Sequence, residues 1–110
     1  MKITLKSLGS LADEIMEGLK DRVGGIFHCP IEITAASSDL AHAYNPERKQ
    51  YSSSKLLAFL EEAERDERVV GIADVDLYVP RLNFVFGEAD IVPGTAIVSL
   101  FRLRKGEFRP

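Results

Sequence analysis

Three apolar runs crowded into the second half of the chain dominate the hydrophobic pattern. Val69 to Val75 is rich in β-branched residues and interrupted only by a glycine, Asn83 to Glu88 alternates two phenylalanines with other residues, and Thr95 to Phe101 is again apolar and β-branched. Each has the length of a strand and is too short for a free-standing helix, and Pro or Pro-Gly punctuation separates it from the next. The pattern predicts three neighbouring strands at the heart of a sheet.

The first half supplies elements to cover that sheet. Ile3 and Leu5 alternate with Lys2, Thr4 and Lys6, which predicts a half-buried strand over Met1 to Leu5. After a Leu8-Gly9-Ser10 turn, Ser10 is the expected N-cap, with Asp13 at N3 near the positive end of the helix dipole. Leu11, Ile15, Leu19 and Val23 then recur at four-residue spacing on an amphipathic helix that Gly24-Gly25 is expected to end. Phe27, Cys29, Ile31 and Ile33 alternate with polar positions as a second strand, and Pro30, which cannot donate to a ladder, places it at an edge or a bulge.

Residues 35 to 50 have no clean period and read as a surface connection. Ser52 to Ser54 offer N-caps for a second helix with Leu56, Leu57, Phe59, Leu60 and Ala63 on its apolar side and a charged half from Glu61 to Arg68. The expected fold is α+β: one domain over residues 1–110, in the order β-α-β-α-β-β-β. Right-handed crossovers would give a mixed twisted sheet of about five strands, with both helices on one face.

Composition narrows the function classes. With 45% hydrophobic and 28% charged residues, the 110-residue chain is large enough for a core without metal or disulfide staples. A net charge of −3 gives no surplus of cations to replace phosphate counterions, so no nucleic-acid partner is expected. Arg102, Arg104, Lys105 and Arg109 read as a solvated basic end. The single cysteine, Cys29, fits a reducing cytoplasm, and no stretch has the apolar length of a membrane span or a leader.

Candidate chemistry is sparse. His28, Cys29 and His42 are the only imidazole and thiol groups, and no two stand one helical turn apart. Adjacent His28 and Cys29 point to opposite sides of an extended chain, so a metal site is not expected. Asp74 and Asp76 would share a face of an extended strand, where two like charges raise one pKa as acid–base sites require. Without an identified partner and pocket, capping the strand end is the expected role. The Ser52-Ser53-Ser54 run has no nucleophile elbow, and Gly24-Gly25 lacks the Lys-Ser/Thr of a phosphate loop.

The string GIADVDLYVPRLNFVFGEA, followed by AIVSLFRLR, resembles the central segment of the archaemetzincin family of zinc-dependent metallopeptidases. KQYSSSKLLAFL with Arg48 before it, and KSLGS near the start, resemble upstream parts of the same family, so the likeness runs through nearly the whole chain. Arg81 stands where the family usually has a small residue. The resemblance implies a twisted sheet with a backing layer of helices, zinc as the family's metal and a peptide or protein as substrate.

It also implies that an edge strand forms one rim of the cleft and pairs with an extended substrate, which makes Phe86, Gly87, Glu88 and Ala89 the candidate substrate-binding residues. The family's H-E-x-x-H-x-x-G-x-x-H zinc motif is not in the sequence. The chain is therefore expected to be the N-terminal, truncated scaffold of such an enzyme, with no metal or catalytic residue of its own and inactive in this form. The alternative is a non-catalytic module that binds a peptide or itself through a sheet edge. Without the active-site helix, an apolar patch on the order of 400 Å², worth ~10 kcal/mol, would remain open, and a homodimer covering it through Val69 to Val75 or Thr95 to Phe101 is expected.

Overall fold

The computed structural model describes residues 1–37, 39–60, 63–92 and 94–105. A five-stranded mixed sheet organises them, in the order β2-β1-β5-β8-β7, where β1 is Lys2–Leu8, β2 Ile31–Ser37, β5 Glu67–Ala73, β7 Gly87–Asp90 and β8 Thr95–Ser99. β1, β2, β5 and β8 run parallel, and β7 is antiparallel to β8. Strands β3 (Tyr44–Asn45), β4 (Gln50–Ser52) and β6 (Leu77–Tyr78) make a small second sheet, and the helices are α1 (Asp13–Phe27), α2 (Ser53–Phe59) and α3 (Phe101–Lys105). The expected α+β class and mixed sheet are what the chain forms.

Parallel strands with both faces covered bury consecutive residues, and β1 does so at Ile3, Thr4 and Leu5. Along each central strand, neighbouring residues go to opposite layers. Ile3, Leu5 and Ile72 join Met16 of α1, whereas Leu8, Ala73 and Ile97 join Leu56, Leu57 and Leu60 of the α2 region. The helices thus cover opposite faces, correcting the expectation that both lie on one. The reason is topological: the chain steps outward from β1 to β2 and then back past β1 to β5. Connections of one hand that step in opposite directions must cross on opposite faces.

Local departures have local causes. α1 starts after Ala12 with no side-chain cap, not at Ser10. It runs through Gly24-Gly25, each of which costs a helix only about 1 kcal/mol. It stops where His28 turns left-handed at φ 51°, donating its N–H to the Gly24 carbonyl, just ahead of Pro30. Phe27 is therefore the last residue of a helix rather than part of a strand. β2 is an edge strand, as Pro30 suggested, and the Pro30 carbonyl accepts from Ile3 N–H.

Ser52 caps α2 by accepting from the Lys55 N–H at 3.2 Å, and the helix ends at Phe59, shorter than expected. Of the charged run Glu61 to Arg68, residues 61 and 62 lie outside the described residues, and Glu67 and Arg68 already belong to β5. Residues 35–50, expected to be a surface connection, include the end of β2, strand β3 and the first residue of β4. Arg109 lies outside the described residues, as do the side chains of Arg104 and Lys105, but Arg102 is no solvated cation: it is paired with Asp76. Beside α1, the face of the sheet carries a groove of about 520 Å³ lined by Leu5, Val23, Phe27, Val70, Ile72 and Val98. Among the described residues, no helix is long and apolar enough to cross a membrane.

Candidate functional site

The outermost strand on one side is β7. It covers Gly87–Asp90, later than the expected Asn83 to Glu88, because the alternation of Phe84 and Phe86 comes from a loop. Their rings meet edge to face at 5.3 Å, and Val85 between them makes a single bridge to Leu77. Neither phenylalanine belongs to the buried core, and Phe86 is exposed.

Ser99 N–H donates to the Phe86 carbonyl at 2.8 Å, which fixes the phase of the β7–β8 ladder. By antiparallel alternation, Gly87 and Ala89 take the non-hydrogen-bonded positions, opposite Val98 and Ala96, and direct their N–H and C=O groups away from β8. A Cβ at Gly87 would come within 2.4 Å of the Ile97 carbonyl oxygen. The close backbone approach that this glycine permits is therefore made by the chain's own β8.

Glu88 points to the α2 side, where its carboxylate accepts from Ser53 Oγ at 2.6 Å and from Ser54 Oγ at 2.9 and 3.1 Å. It ties the edge strand to the start of α2. Ala89 is exposed.

Behind the edge, the 79–86 loop is held by a polar cluster centred on Asp76, in which Arg48, Gln50 and Arg102 are not expected site residues. Asp76 is gripped by Arg102 in a two-pronged bond, Nε to Oδ1 at 2.7 Å and Nη2 to Oδ2 at 3.0 Å, and accepts from Gln50 Nε2 at 3.0 Å. Burial opposes the Asp76 charge, but the Arg102 and Gln50 hydrogen bonds and the positive charges of Arg102 and Arg48 outweigh it, so its carboxyl ionises below the usual range. A raised pKa, the mark of an acid–base pair with Asp74, is not found at Asp76. In the sequence, Arg48, Gln50, Asp76 and Arg102 all fall in the stretches that carry the family resemblance, and Asp76 stands out beside Asp74 as a strand-end carboxylate.

The overall fold is shared with solved archaemetzincins. The crystal structure of archaemetzincin from Archaeoglobus fulgidus superposes with a TM-score of 0.84 at 32% identity, over 94% of this chain and 63% of that one. The archaemetzincin of Methanocaldococcus jannaschii is 38% identical over 104 residues, 94% of this chain and 56% of the relative. That of Nanoarchaeum equitans is 42% identical over 96 residues, 87% of this chain and 53% of the relative. No protein-family model matches. Over nearly its whole length the chain is similar to archaemetzincins in sequence and fold, and it spans little more than half the length of these curated relatives.

Zinc, which the family resemblance implies, does not fit the residues described: no group of three or more His, Cys, Asp or Glu among them could hold an ion. His28 ends α1, Cys29 packs beside the α1 core, and His42 lies against the Phe59 ring with centroids 5.0 Å apart.

Two consequences can be measured. Arg81 has φ 81°, a conformation costly for a side chain with a Cβ and free to glycine. Arg81→Gly is expected to raise stability by about 0.5–1 kcal/mol after the entropy of a freer unfolded chain is counted, as read from urea midpoints. Asp76 has a depressed pKa, so its contribution is complete above the unfolded value of about 3.9 and is lost as pH falls through the folded value. Asp76→Asn is expected to cost about 1.5–3 kcal/mol at neutral pH and to flatten the fall in stability below about pH 4, which a pH series of urea midpoints would register. An unchanged slope would assign the acid sensitivity to other carboxylates.

Proposed function

We propose that these 110 residues are the supporting part of an archaemetzincin-like zinc metallopeptidase, which presents an extended peptide along β7 to catalytic groups supplied by residues outside this sequence. The observation that carries this reading is the edge position of β7 with the Gly87 and Ala89 backbone groups turned outward. Strand addition uses such an edge, main-chain hydrogen bonds giving affinity and flanking side chains giving selectivity. Gly87 and Ala89 would supply the bonds, Phe86 an exposed ring beside them, and Glu88 the anchor that keeps the strand on α2. By itself the chain would bind no zinc and cleave no peptide. A cytoplasmic setting suits its one cysteine, and its net charge of −3 suits neither nucleic acid nor an anionic membrane surface.

The test combines metal content, turnover and binding. After dialysis against zinc and then buffer, the protein is expected to retain far less than one equivalent of metal and to show no peptidase activity above a heat-killed control. Stoichiometric zinc that disappears in His28→Ala or His42→Ala would overturn this. A fluorescent heptapeptide of alternating Thr and Val is expected to bind, and Ala89→Pro, which removes an outward N–H and leaves the β8 ladder intact, to weaken it about tenfold. Equal binding by Ala89→Pro would move the peptide site off this edge.

The apolar groove beside α1 favours a second reading, a non-catalytic module that binds its own kind. Val70, Ile72 and Val98 come from the two strands expected to meet a partner, and a two-fold dimer would close the groove. Sedimentation at tens of micromolar is expected to give a dimer that Val98→Glu converts to monomer. A wild-type monomer at that concentration would end this reading.

A further inference from the structure

The 79–86 loop, which delivers the chain into β7, packs Val85 against the α2-side core and bridges it to Leu77, but its outer turn has no such packing. Arg81, Leu82 and Asn83 are exposed, and the turn contains the left-handed Arg81. Three successive points of the loop are instead held by three side chains from elsewhere in the fold. Arg48 Nη2 donates to the Leu82 carbonyl at 2.6 Å, Gln50 Nε2 to the Asn83 carbonyl at 2.7 Å, and the Arg102 guanidinium lies 3.9 Å from the centre of the Phe84 ring.

The three holders are themselves joined. Arg48 Nε donates to Gln50 Oε1 at 2.9 Å, and Gln50 and Arg102 both donate to Asp76. Gln50 is only 7% exposed, with its amide oxygen and nitrogen both engaged, so loss of one partner strands a buried polar group. A left-handed arginine persists only where its surroundings over-determine it, and these contacts add to the Leu82–Val79 and Val85–Leu77 backbone bonds in supplying that constraint.

We infer that Gln50, Asp76 and Arg102 are positioning residues for the edge strand: they fix the 79–86 loop, and through it the register at which Phe86 and Gly87 enter against β8. Arg102 stands at the start of α3, so the orientation of α3 and the shape of the edge are coupled through one carboxylate. The inference rests on the peptide-pairing reading only for what the edge binds.

Amide hydrogen exchange at Leu82 and Val85, whose N–H groups donate to Val79 and Leu77 carbonyls, reports the loop, and the β5 amides report global unfolding. Gln50→Leu and Arg102→Met are each expected to speed exchange at Leu82 and Val85 at least ~10-fold beyond any change in β5. The double variant should do no more than the stronger single one, because both act through one cluster. Should Gln50→Leu fail to fold, Asp76→Asn, which keeps the side-chain shape, carries the same comparison.

Loop exchange that follows β5 in every variant, or single effects that multiply in the double, would overturn the inference. In the same variants, affinity for the alternating Thr-Val heptapeptide is expected to fall about tenfold. No binding by the wild type would sink the peptide reading, while the exchange data would still decide the positioning role.

Discussion

The Asp76 carboxylate accepts bonds from two side chains, Gln50 and Arg102, that stand 26 residues before and 26 residues after it. Its environment is half-closed, with Asp76 at 15% and Arg102 at 25% side-chain exposure. At that depth a charge must be paired or it costs more than it gives. Pairing it requires β4, the entry to β6 and the start of α3 to converge, and the small second sheet forms at that meeting point, with Tyr51 N–H donating to the Asp76 carbonyl. The shape of the loop and the position of the edge strand follow from that convergence.

Two apolar layers carry the rest. Because the chain reverses its direction of travel after β2, each central strand feeds both layers, and Gly71 of β5 lies where a Cβ would meet the Leu8, Leu60 and Ile97 side chains at 2.9–3.2 Å. The layer under α2 is closed around Leu56, Leu77, Ala73 and Ile97, all at 0% exposure. The layer under α1 is closed at Met16 and open toward Val70 and Val98, so the two faces of one sheet differ in how complete they are.

The parts legible in the sequence are those whose pattern is set by local burial. β5 and β8 announce themselves as apolar runs because both faces of each are covered, β1 shows only as an alternation of Ile3 and Leu5 with polar positions although Thr4 is buried too, and Pro30 marks an edge because it lacks a donor. The two helices could be located, but not their faces, since that depends on strand order, which no local period encodes. β7 was displaced by the Phe84–Phe86 alternation, which satisfies ring contacts rather than a ladder. The cluster of Arg48, Gln50, Asp76 and Arg102 is invisible to patterning, because polar residues scattered over three distant stretches of the chain look like ordinary surface until the fold brings them together.

The brevity of β7 limits what it could recognise. A four-residue edge with outward groups only at Gly87 and Ala89 offers a neighbouring strand at most four main-chain bonds, and a neighbour displaced by two residues would keep half of them. Main-chain pairing alone would then leave the alignment of a bound segment free to slip. Choice among alignments would fall to the groups at the two ends of the strand, the Phe86 ring at one and Ile91 and Val92, 90% and 88% exposed, at the other.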